Sequence, residues 1–260
     1  MFRKANLGMS GTVSQKYTDA GVGVTQRWTP ISLPNSGAAR SKSEGNSGND
    51  ITFDATTETA ITITINQHYY SAFELEEFEA NLTTVDLKNY YAEAAAYVVN
   101  LAIDDTLAAL PDDFTQTVGS LTVDNTDDDV RRADQYLNDA NAPSDGRFFG
   151  MSPATKNSML SIDRYASSDF NRGGGANIIK GEFGEIYGYR TFVSTNIEGS
   201  NSVGHDNTIH QRDAIALALR MKPKSRQFDD ILNQSTQFSI AAIWGVVETR
   251  DDHGCWVKGA

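Results

Sequence analysis

Apolar and polar residues alternate from Glu58 to Leu75, and this stretch limits the fold more than any other part of the chain. Ile61, Ile63 and Ile65 alternate with Thr62 and Thr64, and the strand signal continues through Tyr69. A period of two in β-branched residues describes a strand buried on one face. About 17 residues at about 3.3 Å each would reach roughly 55 Å, well beyond the usual strand. A two-stranded ribbon of that length is poorly stable alone, so it must lie on other structure. Ile51 and Phe53 carry the alternation further upstream.

The strongest helix signal follows. Thr83 and Asp86 form a Thr-x-x-Asp box, and Leu87, Tyr91, Ala94, Val98, Leu101 and Ala108 recur at three and four. Good helix formers fill the stretch and Pro111 ends it. About 25 residues give a rod of roughly 37 Å. A second helix is expected near Thr126–Ala140, with Thr126 as cap and Asp127, Asp128 and Asp129 in the first turn, where the helix dipole favours anions. Val130, Ala133 and Leu137 mark its inner face. The run Arg147–Met151 reads as a short buried strand, and Ser152-Pro153 starts another helix with Ser as cap and Pro at the first position.

Later segments are read more coarsely. Residues 168–180, with Gly173, Gly174 and Gly175, are expected as loop. Gly181 to Ile197 reads as strand-turn-strand, and 198–211 as a second polar loop. Ala214–Met221 is an apolar run leading into Lys222, Lys224 and Arg226, and Phe238–Val247 is a last strand signal. Strands dispersed among helices, without regular alternation, indicate an α+β fold.

The first fifty residues look different. Residues 1–34 show no regular period and contain Gly8, Gly11, Gly21, Gly23, Pro30 and Pro34, as an extended arm would. Asn35 to Asp50 is almost wholly small and polar, which predicts a mobile loop tip. Before Ser43, Arg3, Lys4, Lys16, Arg27, Arg40 and Lys42 face only Asp19. The whole chain nevertheless carries a formal net charge of -12, which argues against a dedicated nucleic-acid binder. Hydrophobic residues at 39% and charged residues at 22% permit a folded core. No apolar stretch follows Arg3 and Lys4, so no signal peptide is expected, and no run is long enough for a membrane span. Asn81 and Asn233 match the glycosylation pattern at chance level.

None of the clusters that could carry chemistry fits its template. Counting from Asp124, the acidic cluster has Asp129 where an EF-hand needs Gly and Gln135 where it needs Glu; a helix cap explains it better. Gly173–Gly175 and Gly181–Gly188 are followed by no Lys-Ser/Thr, so turn glycines are the simpler reading. His205, His210 and His253, even with Cys255, do not have zinc-site spacing. Cys255 is the single cysteine, which rules out an intrachain disulfide, and it lacks a nucleophile motif. Glu76 and Glu77 are too ordinary a pair to suggest glycoside hydrolysis. No catalytic residue, cofactor-binding residue or metal ligand is assigned.

Taken in order, several of these segments resemble tailed-bacteriophage major capsid proteins of the Hong Kong 97-like fold. They are the strand Ala60–Phe73, the acidic Glu74-Leu75-Glu76-Glu77, and the long helix Asp86–Ala109. The helix near Thr126–Ala140, Arg147–Met151 with Ser152-Pro153-Ala154-Thr155, and Gly181-Glu182-Phe183-Gly184-Glu185-Ile186-Tyr187-Gly188-Tyr189 complete the series. The resemblance spans about residues 50–250. It implies an N-terminal arm at 1–34 and an extended loop, a β-ribbon over the adjacent subunit, at 35–65. A peripheral domain with a long spine helix would take 66–114 and 226–260, and 115–225 would be mainly the axial domain, with the loop 198–210 near the symmetry axes.

What this implies is a non-enzymatic shell protein that assembles with itself, as pentamers and hexamers, into an icosahedral head around double-stranded DNA. It would bind that DNA without sequence specificity, have no membrane contact, be assembled in the host cytoplasm and end in the virion. A separate scaffolding protein and a portal would be partners, and a decoration protein a further one. Lys42, the lysine of the extended loop, has no identifiable asparagine partner for the cross-link known in the type member. Two alternatives stay open at this stage: an encapsulin-like nanocompartment shell, and a soluble hydrolase or binding module with an unrecognised site.

Overall fold

A computed structural model describes residues 9–16, 25–28, 61–76, 78, 87–162, 165, 185–197, 199–200 and 203–260. The alternating stretch forms two strands, β2 (Ile61–Thr64) and β3 (Gln67–Glu76), where the sequence predicts one. They belong to different sheets. β2 pairs antiparallel with β1 (Thr25–Trp28), a strand inside the segment expected as an irregular arm. β3 pairs antiparallel with β11 (Ser235–Glu248), which pairs in turn with β10 (Ile215–Asp230). The ribbon predicted at 35–65 lies outside the described residues apart from its last five, as do the box residues Thr83 and Asp86 and the glycine loop at 168–180.

The long helix α1 (Leu87–Ala108) lies on the β3–β11–β10 sheet. Its buried face is Ala95, Val99, Ile103 and Leu107, packed with Ile215, Leu217, Ile240, Ala242 and Trp244. The sequence predicts Tyr91, Val98 and Leu101 inside; all three are exposed, and only Ala108 of the predicted set is fully buried. Both sides of this helix carry apolar residues at spacings of three and four, so periodicity alone does not choose between them. Size decides it. Alanine and aliphatic side chains let the helix sit close to the sheet, Tyr90 and Tyr97 stay outside, and Tyr91 lies at the margin with its ring on Phe73 of β3. The Trp244 indole N–H donates to Thr106 Oγ1 at 2.9 Å, fixing the helix along β11.

The other face of the sheet is covered at one end by β2. Ile63 is fully buried against Ala216 and Ala218, with Val247 beside them. The segment Met9–Ser14 closes the edge of β10: Ser14 N–H donates to Ile215 O at 3.0 Å and Leu217 N–H to Ser14 O at 2.9 Å.

A seven-stranded mixed sheet forms the second half. Its main path runs β4 (Thr117–Gly119), β12 (Gly254–Gly259), β9 (Gly204–Gln211), β5 (Arg147–Met151), β7 (Tyr189–Val193) and β6 (Glu185–Ile186), with β8 (Gly199–Ser200) paired to β9. Helices α2 (Asp127–Asp139) and α3 (Pro153–Leu160) accompany it. Val130, Ala133 and Leu137, the face predicted for α2, are fully buried with Phe149, Met151, Tyr189 and Val257. The sequence predicts a polar loop at 198–211, but β9 is buried near the middle of this sheet. Its polar side chains mask a strand because they are hydrogen-bonded inside: Asn207 Oδ1 accepts from Ser152 N–H at 2.7 Å, and His210 Nε2 lies 3.2 Å from Thr12 Oγ1.

Candidate assembly surfaces

The residues singled out for possible chemistry serve the fold. Asp129 accepts from the backbone N–H of Thr126 at 2.9 Å and from its hydroxyl at 2.7 Å, the capping box at the start of α2. Asp127 accepts from the hydroxyls of Tyr187, at 2.7 Å, and Tyr165. Asp128 pairs with Arg131. Ser152 caps α3, accepting from Thr155 N–H at 3.1 Å. Tyr187 and Gly188 turn β6 into β7 with φ of 51° and 81°, the positive pair that a two-residue hairpin turn needs.

Histidine and cysteine are also dispersed. His205 and His210 lie on β9, His253 in the turn Asp251–His253, and Cys255 on β12 opposite Ile209. Burial pushes the Cys255 thiol up to about 12 and His210 down to about 4. A thiol so protonated is a poor nucleophile. Among the described residues no group of three or more His, Cys, Asp or Glu could hold a metal ion, and no helix is long and apolar enough to cross a membrane. Glu76 stands opposite Ser235, and Asn233 donates to Asp230 at 2.9 Å. Lys42, Glu77, Asn81 and Gly173–Gly175 lie outside the described residues.

Among the described residues, exposed apolar side chains gather most clearly in two places, beside scattered ones such as Tyr70, Phe78, Val123 and Val203. The first is the outer side of α1, where Tyr90, Tyr97, Val98 and Leu101 are exposed. The second is the far end of the β10–β11 ribbon. There Ile231 and Leu232 are 89% and 94% exposed and Phe228 is 69% exposed. A monomer gains nothing by holding such side chains in water.

The ribbon is also electrically divided. Lys222, Lys224 and Arg226 are exposed along β10, and Asp229 and Asp230 stand next to the tip. A shallow depression of about 580 Å³ lies across β3, β11 and β10, bordered among others by Phe73, Glu74, Arg226, Phe228 and Phe238. Sequence reading missed the tip. The signal was Ile231-Leu232 set between Asp229-Asp230 and Asn233-Gln234, an apolar pair inside a turn composition.

No family model and no curated protein matches the sequence. Solved structures do match the fold. A structure from Mycobacterium phage Che8 aligns over 99% of this chain and 93% of its own, with a TM-score of 0.78 and 17% identity. The capsid structure of the cyanophage P-SCSP1u aligns over 100% and 90%, with a TM-score of 0.76 and 16% identity. The mature capsid of bacteriophage PhiM1 aligns over 91% and 82%, with a TM-score of 0.63 and 13% identity. The chain therefore has the α+β, Hong Kong 97-like fold of phage capsid structures.

Proposed function

We propose that this chain is the major capsid protein of a tailed phage, a structural protein without catalysis. Its copies join as pentamers and hexamers into an icosahedral head around double-stranded DNA. The observation that carries the reading is the end-to-end likeness to phage capsid structures.

The exposed surfaces support it. In the proposal the β3–β11–β10 sheet with α1 is the peripheral domain and the seven-stranded sheet the axial domain. Residues 1–34 are the arm and 35–65 the loop, which reaches over a neighbour from its base at β2, itself packed on the chain's own sheet. The division follows the sheets, so β12 goes with the axial domain and β10 from Ile215 onward with the peripheral one. The ribbon's acidic apolar tip seats on a neighbouring copy, against the basic row Lys222, Lys224 and Arg226. A contact between two different patches is heterologous and closes into rings when its rotation allows. Many such contacts make a shell firm even when each is weak. A scaffolding protein, a portal and a decoration protein are the further partners of this reading, with assembly in the host cytoplasm and the virion as destination.

Negative-stain electron microscopy of the chain, coexpressed with its neighbouring genes, tests the proposal. Closed icosahedral particles are expected. Uniform small particles, with a scaffolding gene included, would overturn it.

A further inference from the structure

β10 is an edge strand of the three-stranded sheet, and it starts on the run Ala214-Ile215-Ala216-Leu217-Ala218-Leu219. That run has no charge, no proline and no glycine, and an open edge of this kind invites another strand. β3, the opposite edge, has no such run, because Gln67, His68, Ser71, Glu74 and Glu76 interrupt its apolar residues. Beyond Leu219, β10 is built against pairing. Its register with β11 slips between Leu219 and Met221 and again between Met221 and Lys224. Pro223 lies in the second irregularity and has no N–H to donate, and Lys222, Lys224 and Arg226 put charge along the strand.

The start of β10 lacks these devices, and there the chain lays residues 9–16, which belong to the proposed arm yet seat on their own subunit. Ser14 bridges in parallel to Ala216, donating to Ile215 O at 3.0 Å and accepting from Leu217 N–H at 2.9 Å. Met9 and Val13 are buried in the apolar cluster that holds Ile215 and Leu217. Ser10 N–H donates to Asp104 Oδ1 of α1 at 3.0 Å, and His210 Nε2 of β9 lies 3.2 Å from Thr12 Oγ1. Lys16 pairs with Asp213 at 2.8 Å.

This seat is not a firm one. Among the described residues the segment meets β10 through one bridge, whereas β11 pairs with β10 from Ile215 to Asp230. The Lys16 and Asp213 side chains are 63% and 39% exposed, and such pairs hold little. Ser14 Oγ is buried with no hydrogen-bond partner among the described residues, a cost incurred only while the segment is in place. An element held by few bonds opens locally, ahead of the sheets.

We infer that residues 9–16 are a releasable guard on the apolar edge of β10, and that the partner they exclude is a second copy of this chain adding a strand at residues 215–219. A strand from that copy would take the Ile215 and Leu217 backbone groups now held by Ser14. The guard belongs to the single subunit, so it stands or falls independently of shell assembly.

The test uses the purified full chain alone, by sedimentation velocity and backbone hydrogen exchange at neutral pH. Val13→Asp with Ser14→Pro removes the buried contact and the donor to Ile215 O, so the segment cannot seat. This double variant should self-associate at concentrations several-fold below those of the native chain. In its complexes Leu217 and Leu219 should be protected while residues 9–16 exchange freely, as a strand added from a second copy requires. Ser14→Ala keeps both backbone bonds and removes the orphan hydroxyl, so it should slow Leu217 exchange several-fold. A double variant that sediments like the native chain, with residues 9–16 exchanging freely, would overturn the guard. So would association that leaves Leu217 and Leu219 unprotected. Should the double variant not fold, Ser14→Ala decides alone: Leu217 exchange as fast as in the native chain sinks the inference.

Discussion

The carbonyl oxygen of Thr64 lies 2.3 Å from where a Cβ on Gly245 would stand. β2 thus crosses β11 at a point where only glycine fits, and Ile63 reaches Ala216 and Ala218 because of that close approach. Gly245→Ala should force the strands apart. Overpacking of this kind costs roughly 1–3 kcal/mol, and for a chain of this size a Tm lower by on the order of 5 °C. Thermal melting of the full chain measures it, and an unchanged Tm would mean that β2 does not cross there.

Gly188 offers the opposite case. Its φ is 81°, yet nothing lies within 4 Å of a Cβ built on it, so backbone conformation alone selects glycine. Gly188→Ala should destabilise by about 1–2 kcal/mol. Gly188→Asn should cost less, since asparagine tolerates this region, and Gly188→Val more, because a β-branched residue does not. A flat series in the melting data would remove the hairpin turn from this position.

These two glycines show how unevenly the fold was legible. Gly188 sits in a local pattern, strand-turn-strand, that a sequence displays. Gly245 is set by a contact with Thr64, 181 residues away along the chain, and no local pattern announces it. The same divide runs through the elements. α2 and α3 were readable because their caps, Thr126 with Asp129 and Ser152 with Pro153, act within one turn. β9 was missed because His205, Asn207 and His210 look like a loop until their buried partners are known. The inner face of α1 was misread because Val98 and Leu101, on its outer side, satisfy the same spacing. The assembly surfaces were legible only in outline, since exposure is a property of the folded subunit.

The ribbon tip separates folding from assembly. Ile231 and Leu232 are almost fully exposed, so Ile231→Ser with Leu232→Ser should change subunit stability by less than about 0.5 kcal/mol. Under the proposed contact the same pair of substitutions should sharply reduce closed particles by electron microscopy. Deleting 36–49, outside the described residues, should also leave the subunit folded and impair shells. Exchanging charges makes the contact specific: Asp229→Lys with Asp230→Lys should block assembly, and adding Lys222→Glu, Lys224→Glu and Arg226→Glu should restore it. Normal shells from the first exchange would exclude this contact while leaving the capsid reading intact.

Acid should act on the other end of the chain, through His210. Burial lowers this imidazole from 6.5 to about 4, so the native state holds it neutral where the unfolded chain would protonate it. The native state then binds fewer protons than the unfolded one between those values. Stability is fully present above pH 6.5 and is lost as the pH falls towards 4. His253 is lowered by burial as well and adds in the same direction, whereas Glu248 opposes both. What distinguishes His210 is its partner. Its Nε2 is 3.2 Å from Thr12 Oγ1, on the segment whose Ser14 closes the edge of β10. Protonation should therefore release Met9–Ser14 before the sheets unfold, seen as hydrogen exchange at Ser14 and Leu217 rising first as the pH is lowered from 6.5 to 4. His210→Gln can keep a hydrogen bond to Thr12 and does not titrate, so it should hold that segment in place at acid pH. If native chain and variant lose protection there at the same pH, His210 is not the group that acid acts on.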